Sequence, residues 1–150
     1  MKKLLEFLQS QKLVIIATCE NGEPWVANVY YGVDANFKLY FVSGKNTRHS
    51  SHIQQNSHIA FSIVWFDRSN HKNRKAIQGL GQCRLAQNEE EIDVGVRLHN
   101  ANFPEFAEKI TLDWIHTNKR GSSIWIIEPS YMKYWDDELY GEDGSKEFTF

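Results

Sequence analysis

Leu39-Tyr40-Phe41-Val42-Ser43-Gly44-Lys45-Asn46-Thr47-Arg48-His49-Ser50-Ser51-His52-Ile53, closed by His58-Ile59-Ala60-Phe61-Ser62-Ile63, reads as strand, short glycine-containing loop, short helix and strand. Lys45 sits in the loop, Asn46 or Thr47 is the helix N-cap, and Arg48 and His49 stand in the first turn. A helix N-terminus exposes unpaired N–H groups and the positive end of the backbone dipole. A lysine, a guanidinium fork and hydroxyls in the same turn make a seat for an anion such as a phosphate. The same residues also serve a capped surface helix whose charges are simply solvated.

Upstream of this stretch, Leu13-Val14-Ile15-Ile16-Ala17-Thr18 is a short apolar run rich in β-branched residues and reads as a buried strand. Asn21-Gly22 supplies a hairpin turn, with Pro24 just after it. The next strand, 25–33, has period two: Trp25, Ala27, Val29 and Tyr31 share one face, and Val26, Asn28 and Tyr30 the other. Asp34-Ala35-Asn36 turns the chain into a strand over 37–43, so an antiparallel meander is expected. Before all of these, Leu4, Leu5, Phe7 and Leu8 fall at helical spacing within 2–10.

Downstream, 58–66 is a fourth strand, followed by a polar loop, Asp67 to Arg74. A fifth strand, 75–86, contains Gly79 and Gly81, which point to a bulge or to close approach by another group. Asn88-Glu89-Glu90-Glu91 caps a helix carrying Ile92, Val96 and Leu98, and Pro104 starts a second helical stretch. The last long strand is 122–136, with Pro129 at an edge or bend. From Asp137 the tail is acidic, and it either stays loose or docks through Phe148 and Phe150.

One domain over 1–150 is the simplest partition for this length. A net charge of −2 gives no reason to expect nucleic acid as a partner. Cys19 and Cys83 are isolated and have no metal-ligand spacing. No stretch approaches the roughly 20 apolar residues of a membrane span, and Glu6, Gln9 and Lys12 interrupt the opening apolar run. A reducing, cytoplasmic setting without membrane contact is the expectation. Ser62 has no histidine–carboxylate partnership visible, so nothing here supports nucleophilic catalysis. His49 and His52 stand three apart, but no cysteine or carboxylate converges with them in sequence, and no metal site is assigned.

The order of these elements and their residues resembles the FMN-binding split barrels related to pyridoxamine 5′-phosphate oxidase. The similarity runs from Leu13 to Gly81 and returns over Ile124–Trp135. It is carried by Ala17-Thr18 before the Asn-Gly turn, Asn28-Val29-Tyr30-Tyr31, Leu39 to Ser43, Thr47-Arg48-His49 and Ile77-Gln78-Gly79-Leu80-Gly81. Ile124-Trp125-Ile126-Ile127-Glu128-Pro129 followed by Tyr134-Trp135 looks like the family's last strand. The fold this implies is all-β or α+β: an antiparallel, Greek-key-like split β-barrel of about six strands with peripheral helices.

The resemblance further implies a homodimer with flavin at the subunit interface and a small-molecule substrate. Thr47, Arg48 and His49 take the positions that hold the FMN phosphate, and charge and proximity add Lys45. Asn28, Val29, Tyr30 and Tyr31 would run beside the ring and ribityl chain. Ser43 would donate to the ring's polar edge, Gln78 would approach it with its amide, and Trp135 falls where the family places an aromatic.

Three departures matter. Thr47-Arg48-His49 stands where many relatives carry Ser-Arg-Lys, so a titratable group replaces a permanent charge, and FMN affinity is expected to be weaker or to rise below about pH 6.5. The 25–33 strand also lacks the arginine and lysine of strong FMN binders. Arg97-Leu98-His99 lies well before the final strand and no arginine follows Trp135, so oxidation of the phosphorylated vitamin itself is not expected. Three functions stay open: an FMN-dependent oxidoreductase, a non-catalytic carrier or sensor of FMN, haem, a deazaflavin or another planar cofactor, and a barrel acting through dimer contacts alone.

Overall fold

In the computed structural model, which describes residues 1–150, the chain opens with α1 (Lys2–Ser10). There follow the hairpin β1 (Leu13–Glu20) and β2 (Glu23–Tyr30), then β3 (Gly32–Val33) and β4 (Leu39–Gly44). Helix α2 (Arg48–Gln55) leads into β5 (His58–Trp65) and β6 (Lys75–Leu85). Next come α3 (Glu89–Asn102), a 3-10 turn at Pro104–Phe106 and α4 (Leu112–Thr117). The chain ends with β7 (Ser122–Asp136), α5 (Asp137–Tyr140) and β8 (Ser145–Thr149).

All neighbouring strands are antiparallel, in the order β2-β1-β5-β6-β7-β4-β3. Strand β7 pairs with the whole length of β6, through Trp125–Asp136, and its other edge is shared end to end by β4 and β8. The result is a curled, split antiparallel barrel with peripheral helices. It has eight strands rather than about six, because β3 and the docked tail strand β8 add to the count.

The strand expected over 25–33 is interrupted at Tyr31. Its ring is fully buried and its hydroxyl donates to the Leu8 carbonyl at 2.6 Å. Its N–H donates to the Lys12 carbonyl, and its own carbonyl accepts from Asn102 Nδ2 at 2.9 Å. At the next position α3 passes so close that a Cβ on Gly32 would lie 2.7 Å from Leu98 Cβ. The chain therefore leaves the first hairpin and rejoins the sheet at its far edge. There β2 and β4 run near one another without pairing, which is the split.

Alternation places Val14, Ile16 and Thr18 of β1, Ile59, Phe61 and Ile63 of β5, and Ile77 and Cys83 of β6 inside the barrel. Helix α1 packs onto this core with Leu4, Phe7 and Leu8, and α2 with Ile53. Helices α3 and α4 cover the outer side of β4 and of the first half of β7, burying Tyr40, Ile124 and Ile126 against Val96 and Ile115. Arg84 clamps α3 to the sheet: its two terminal nitrogens bind Glu91 at 2.9 and 2.7 Å, and one also reaches Glu128 at 2.9 Å. Asn88 caps α3 by accepting from the Glu91 N–H.

Both glycines of β6 answer to close approach. A Cβ on Gly79 would lie 2.1 Å from Phe61 Cζ, and one on Gly81 2.5 Å from the Glu128 carbonyl oxygen. A β-bulge shifts the β6–β7 register between Leu80 and Gly81, so Pro129 sits at an irregularity that spares the ladder its missing donor. The acidic tail docks: Asp136 caps α5 through the N–H groups of Glu138 and Leu139, and β8 pairs with Tyr131–Trp135.

Candidate site on the bare sheet face and at the α2 turn

The residues that alternate with the core make the outer side of the sheet. Helices cover only its β4 side, so the outer sides of β2, β1, β5, β6 and the second half of β7 are bare. Cross-strand register aligns the face into rows. Asn28 pairs with Ile15, Ile15 with Ser62, Ser62 with Gln78, and Gln78 with Lys133. One step along, Val26, Ala17, Ala60, Leu80 and Tyr131 form an apolar row by the same pairings. On the other side Val64, Ala76 and Trp135 form a second apolar row. Val26, Val64 and Leu80 are 58%, 56% and 52% exposed, which is unusual for so many large aliphatic side chains on one face.

A trough of about 340 Å³ lies in this face, floored by Ile15, Ala17, Ala60 and Leu80 and edged by Ser62, Gln78 and Tyr131. Gln78 and Asn28 are exposed and their amides make no hydrogen bond within the chain. Trp135 Nε1 is buried with no hydrogen-bond partner. An apolar floor with the uncommitted Gln78 amide at its edge suits a flat ligand that carries polar groups on one side.

The α2 turn forms the second part of the site. Thr47 is the N-cap, its hydroxyl oxygen accepting from the Ser50 N–H at 3.3 Å. His49 Nε2 lies 2.7 Å from Ser43 Oγ and 3.1 Å from Thr47 Oγ1, and burial pushes its pKa below the ordinary 6.5. Arg48 is exposed, makes no ion pair, and lays its guanidinium 4.4 Å from the ring centre of Trp25. Beside it is a pocket of about 480 Å³ lined by Asn46, Thr47, Arg48, His52, Glu20 and Glu23. His52 is buried and its Nδ1 lies 3.1 Å from Thr18 Oγ1. Lys45 is exposed in the loop before the helix.

The eleven residues singled out in sequence therefore fall into three places. Asn28, Tyr30, Gln78 and Trp135 are on the bare face, and Ser43, Lys45, Thr47, Arg48 and His49 are at the α2 turn. Val29 and Tyr31 point into the core, and Tyr31 is committed through hydroxyl, N–H and carbonyl alike, so its side chain has nothing to offer a ligand. Ser43 shares the inward parity of Leu39 and Phe41, and its hydroxyl is engaged by His49 rather than turned to the bare face. Tyr30 stacks on Phe103 with ring centres 4.6 Å apart, which brings the segment after α3 to the edge of the face.

Sequence reasoning missed the trough floor. Its signal was present: Ile15, Ala17, Ala60 and Leu80 are apolar at strand positions whose parity opposes the core, where a solvated face would carry polar residues. Arg48's acidic neighbours were also missed, because Glu20 and Glu23 reach it only through the β1–β2 hairpin. No helix is long and apolar enough to cross a membrane.

A family model described as pyridoxamine 5′-phosphate oxidase matches residues 1–136. UPF0306 protein PM1958 of Pasteurella multocida is 32% identical over 63 residues, which is 41% of this chain and 42% of that relative. The fold is shared with Campylobacter jejuni ChuZ at TM-score 0.76 and 16% identity, over 99% of this chain and 58% of that one. It is also shared with a heme binding protein from Mycobacterium smegmatis at TM-score 0.73 and 15% identity, over 93% of this chain and 53% of that one. The chain thus spans little more than half the length of either solved relative.

Proposed function

The chain belongs to the pyridoxamine 5′-phosphate oxidase family, and from that premise we propose that two copies hold FMN between their bare sheet faces and act as a flavin-dependent oxidoreductase on a small molecule. The observation that carries this is the bare face itself: an apolar trough edged by the uncommitted Gln78 amide, with Asn28 in the same cross-strand row and the unpartnered indole N–H of Trp135 farther along the face, on a sheet whose other outer surface is helix-covered. Ile15, Ala17, Ala60 and Leu80 would supply the floor, Gln78, Asn28 and Ser62 the hydrogen-bonding groups, and Arg48 the permanent cation for the phosphate. Thr47 and the open N–H groups of the first α2 turn would complete that seat. FMN, when bound, supplies the electron transfer, so no side chain need act as acid or base.

Pairing of two faces would bury Val26, Val64 and Leu80, offset their exposure and exclude water from the trough. Because each is already nearly half covered, burying the remainder contributes about 1 kcal/mol per side chain. The exposed Gln78 amide would then lie at the seam, within reach of either subunit's ligand.

A second possibility, a carrier of haem or another planar cofactor, is favoured by the α2 pocket. Glu20 and Glu23 flank the single free guanidinium there, and neutral His49 adds no charge. That leaves a weaker phosphate seat than two permanent cations would make. A solved protein of the same fold, from Mycobacterium smegmatis, is described as heme binding.

Absorbance of freshly purified protein and titration with FMN and with haemin, run beside sedimentation, test the proposal. A dimer that takes up FMN and shows flavin bands supports it. A Soret band without flavin uptake transfers the site to haem. A colourless monomer that binds neither removes both.

A further inference from the structure

We propose that Lys133 is the residue that sets the reduction potential of the flavin held on this face, by placing a positive charge with no ion-pair partner across from Gln78, at the edge of the trough. The inference rests on the FMN reading above and goes beyond it to a residue that sequence comparison did not single out. Among the strand positions of the bare face, Lys133 is the only lysine, and the one arginine of the same outward parity, Arg84, is committed to Glu91 and Glu128. It stands directly across from Gln78, at the end of the row that runs through Ser62 and Ile15 to Asn28.

The other cations near the two ends of β6 and β7 are occupied. Lys75 binds Glu138 at 2.5 Å, and Arg84 binds Glu91 and Glu128. Lys133 has no carboxylate within ion-pair distance, although Glu147 of β8 stands opposite it in register. Its ammonium lies 4.5 Å from the ring centre of Trp135, whose own N–H is buried and unpartnered. The aromatic holds the long side chain against the face instead of letting it range through solvent.

A half-buried unit charge a few ångströms from a ligand changes an equilibrium between two charge states by about tenfold. Two electrons and one proton convert oxidised FMN to its anionic reduced form, so Lys133 favours the reduced partner. Neutralising it weakens binding of reduced FMN relative to oxidised FMN. Glu147 opposes it, and removing that carboxylate acts in the other direction.

The test is spectroelectrochemical titration of the FMN-loaded wild-type protein and of Lys133→Gln, Lys133→Arg and Glu147→Gln, with an electrode as the electron source. Lys133→Gln is expected to lower the reduced-over-oxidised affinity ratio about tenfold, close to 30 mV for a two-electron couple. Lys133→Arg should restore the wild-type value, and Glu147→Gln should raise it. Equal potentials for wild type and Lys133→Gln, with FMN bound to both, overturn this inference and leave the FMN reading standing. A folded wild-type dimer that takes up no FMN overturns both together.

Discussion

The guanidinium of Arg48 lies 4.4 Å from the ring centre of Trp25, so the first turn of α2 is braced against the end of β2 across the split of the barrel. That contact ties the α2 turn to the strand that carries Asn28, although Trp25 and Asn28 project from opposite faces of β2, three residues or about 10 Å apart along the chain. Arg48 makes this contact while forming no ion pair with Glu20 or Glu23 in the same pocket.

Arg48→Ala is expected to weaken FMN binding about tenfold, or about 1.4 kcal/mol, measured by fluorescence titration. Lys72→Ala, in the polar loop between β5 and β6, should leave it unchanged. Equal losses for the two variants would show that the phosphate seat lies elsewhere.

Burial favours neutral His49, so its folded pKa is below 6.5. The folded state binds fewer protons there than the unfolded chain does. This residue's contribution to stability is therefore level above pH 6.5 and declines as pH falls through that value toward the folded pKa. Urea midpoints compared at pH 7.5 and 5.5 should drop less in His49→Asn than in wild type. Any rise in FMN affinity from a charged His49 should also begin below pH 6.5, later than an unburied histidine would give.

Gly79→Ala places a methyl inside the Phe61 ring envelope. Repacking should cost about 1–3 kcal/mol, and Phe61→Leu in the same chain should recover part of it. Additive destabilisation by the two changes in denaturant titrations would contradict the contact.

Arg84→Met removes the clamp between β6, α3 and β7, and should cost about 2 kcal/mol. Because Arg84 holds the Glu91 carboxyl down to about 2, the clamp's contribution is present above pH 4.5 and is lost as pH falls toward 2. The acid-unfolding curve of Arg84→Met should be flatter over that window, read by circular dichroism.

Leu80→Glu puts a charge in the middle of the exposed apolar row without touching the core. The variant should fold as wild type does and sediment as a monomer, with the wild type expected to sediment as the proposed dimer. A wild-type dimer left intact by the change would place the subunit contact on another surface.

Much of the architecture was legible in the chain. Strand alternation around Val14, Ile16, Phe61 and Ile77 depends only on neighbouring residues, as do the Asn88 cap, the α2 cap narrowed to Asn46 or Thr47, and the glycine pair at Gly79 and Gly81. The strand break at Tyr31 was not legible, because it depends on Leu8, Lys12, Asn102 and Leu98 meeting there from distant parts of the chain. Docking of β8 likewise needed the free edge of β7 beyond the end of β4.

For the site, residue chemistry and spacing were enough to place a cation, a cap and a titratable ring in one turn, since all belong to a single helix start. They could not say that His49 would be engaged by Ser43, that Arg48 would share its pocket with two glutamates, or that Lys133 would stand alone beside Gln78. Burial, charge compensation and register are properties of residues brought together from separate strands. Only the folded sheet decides them.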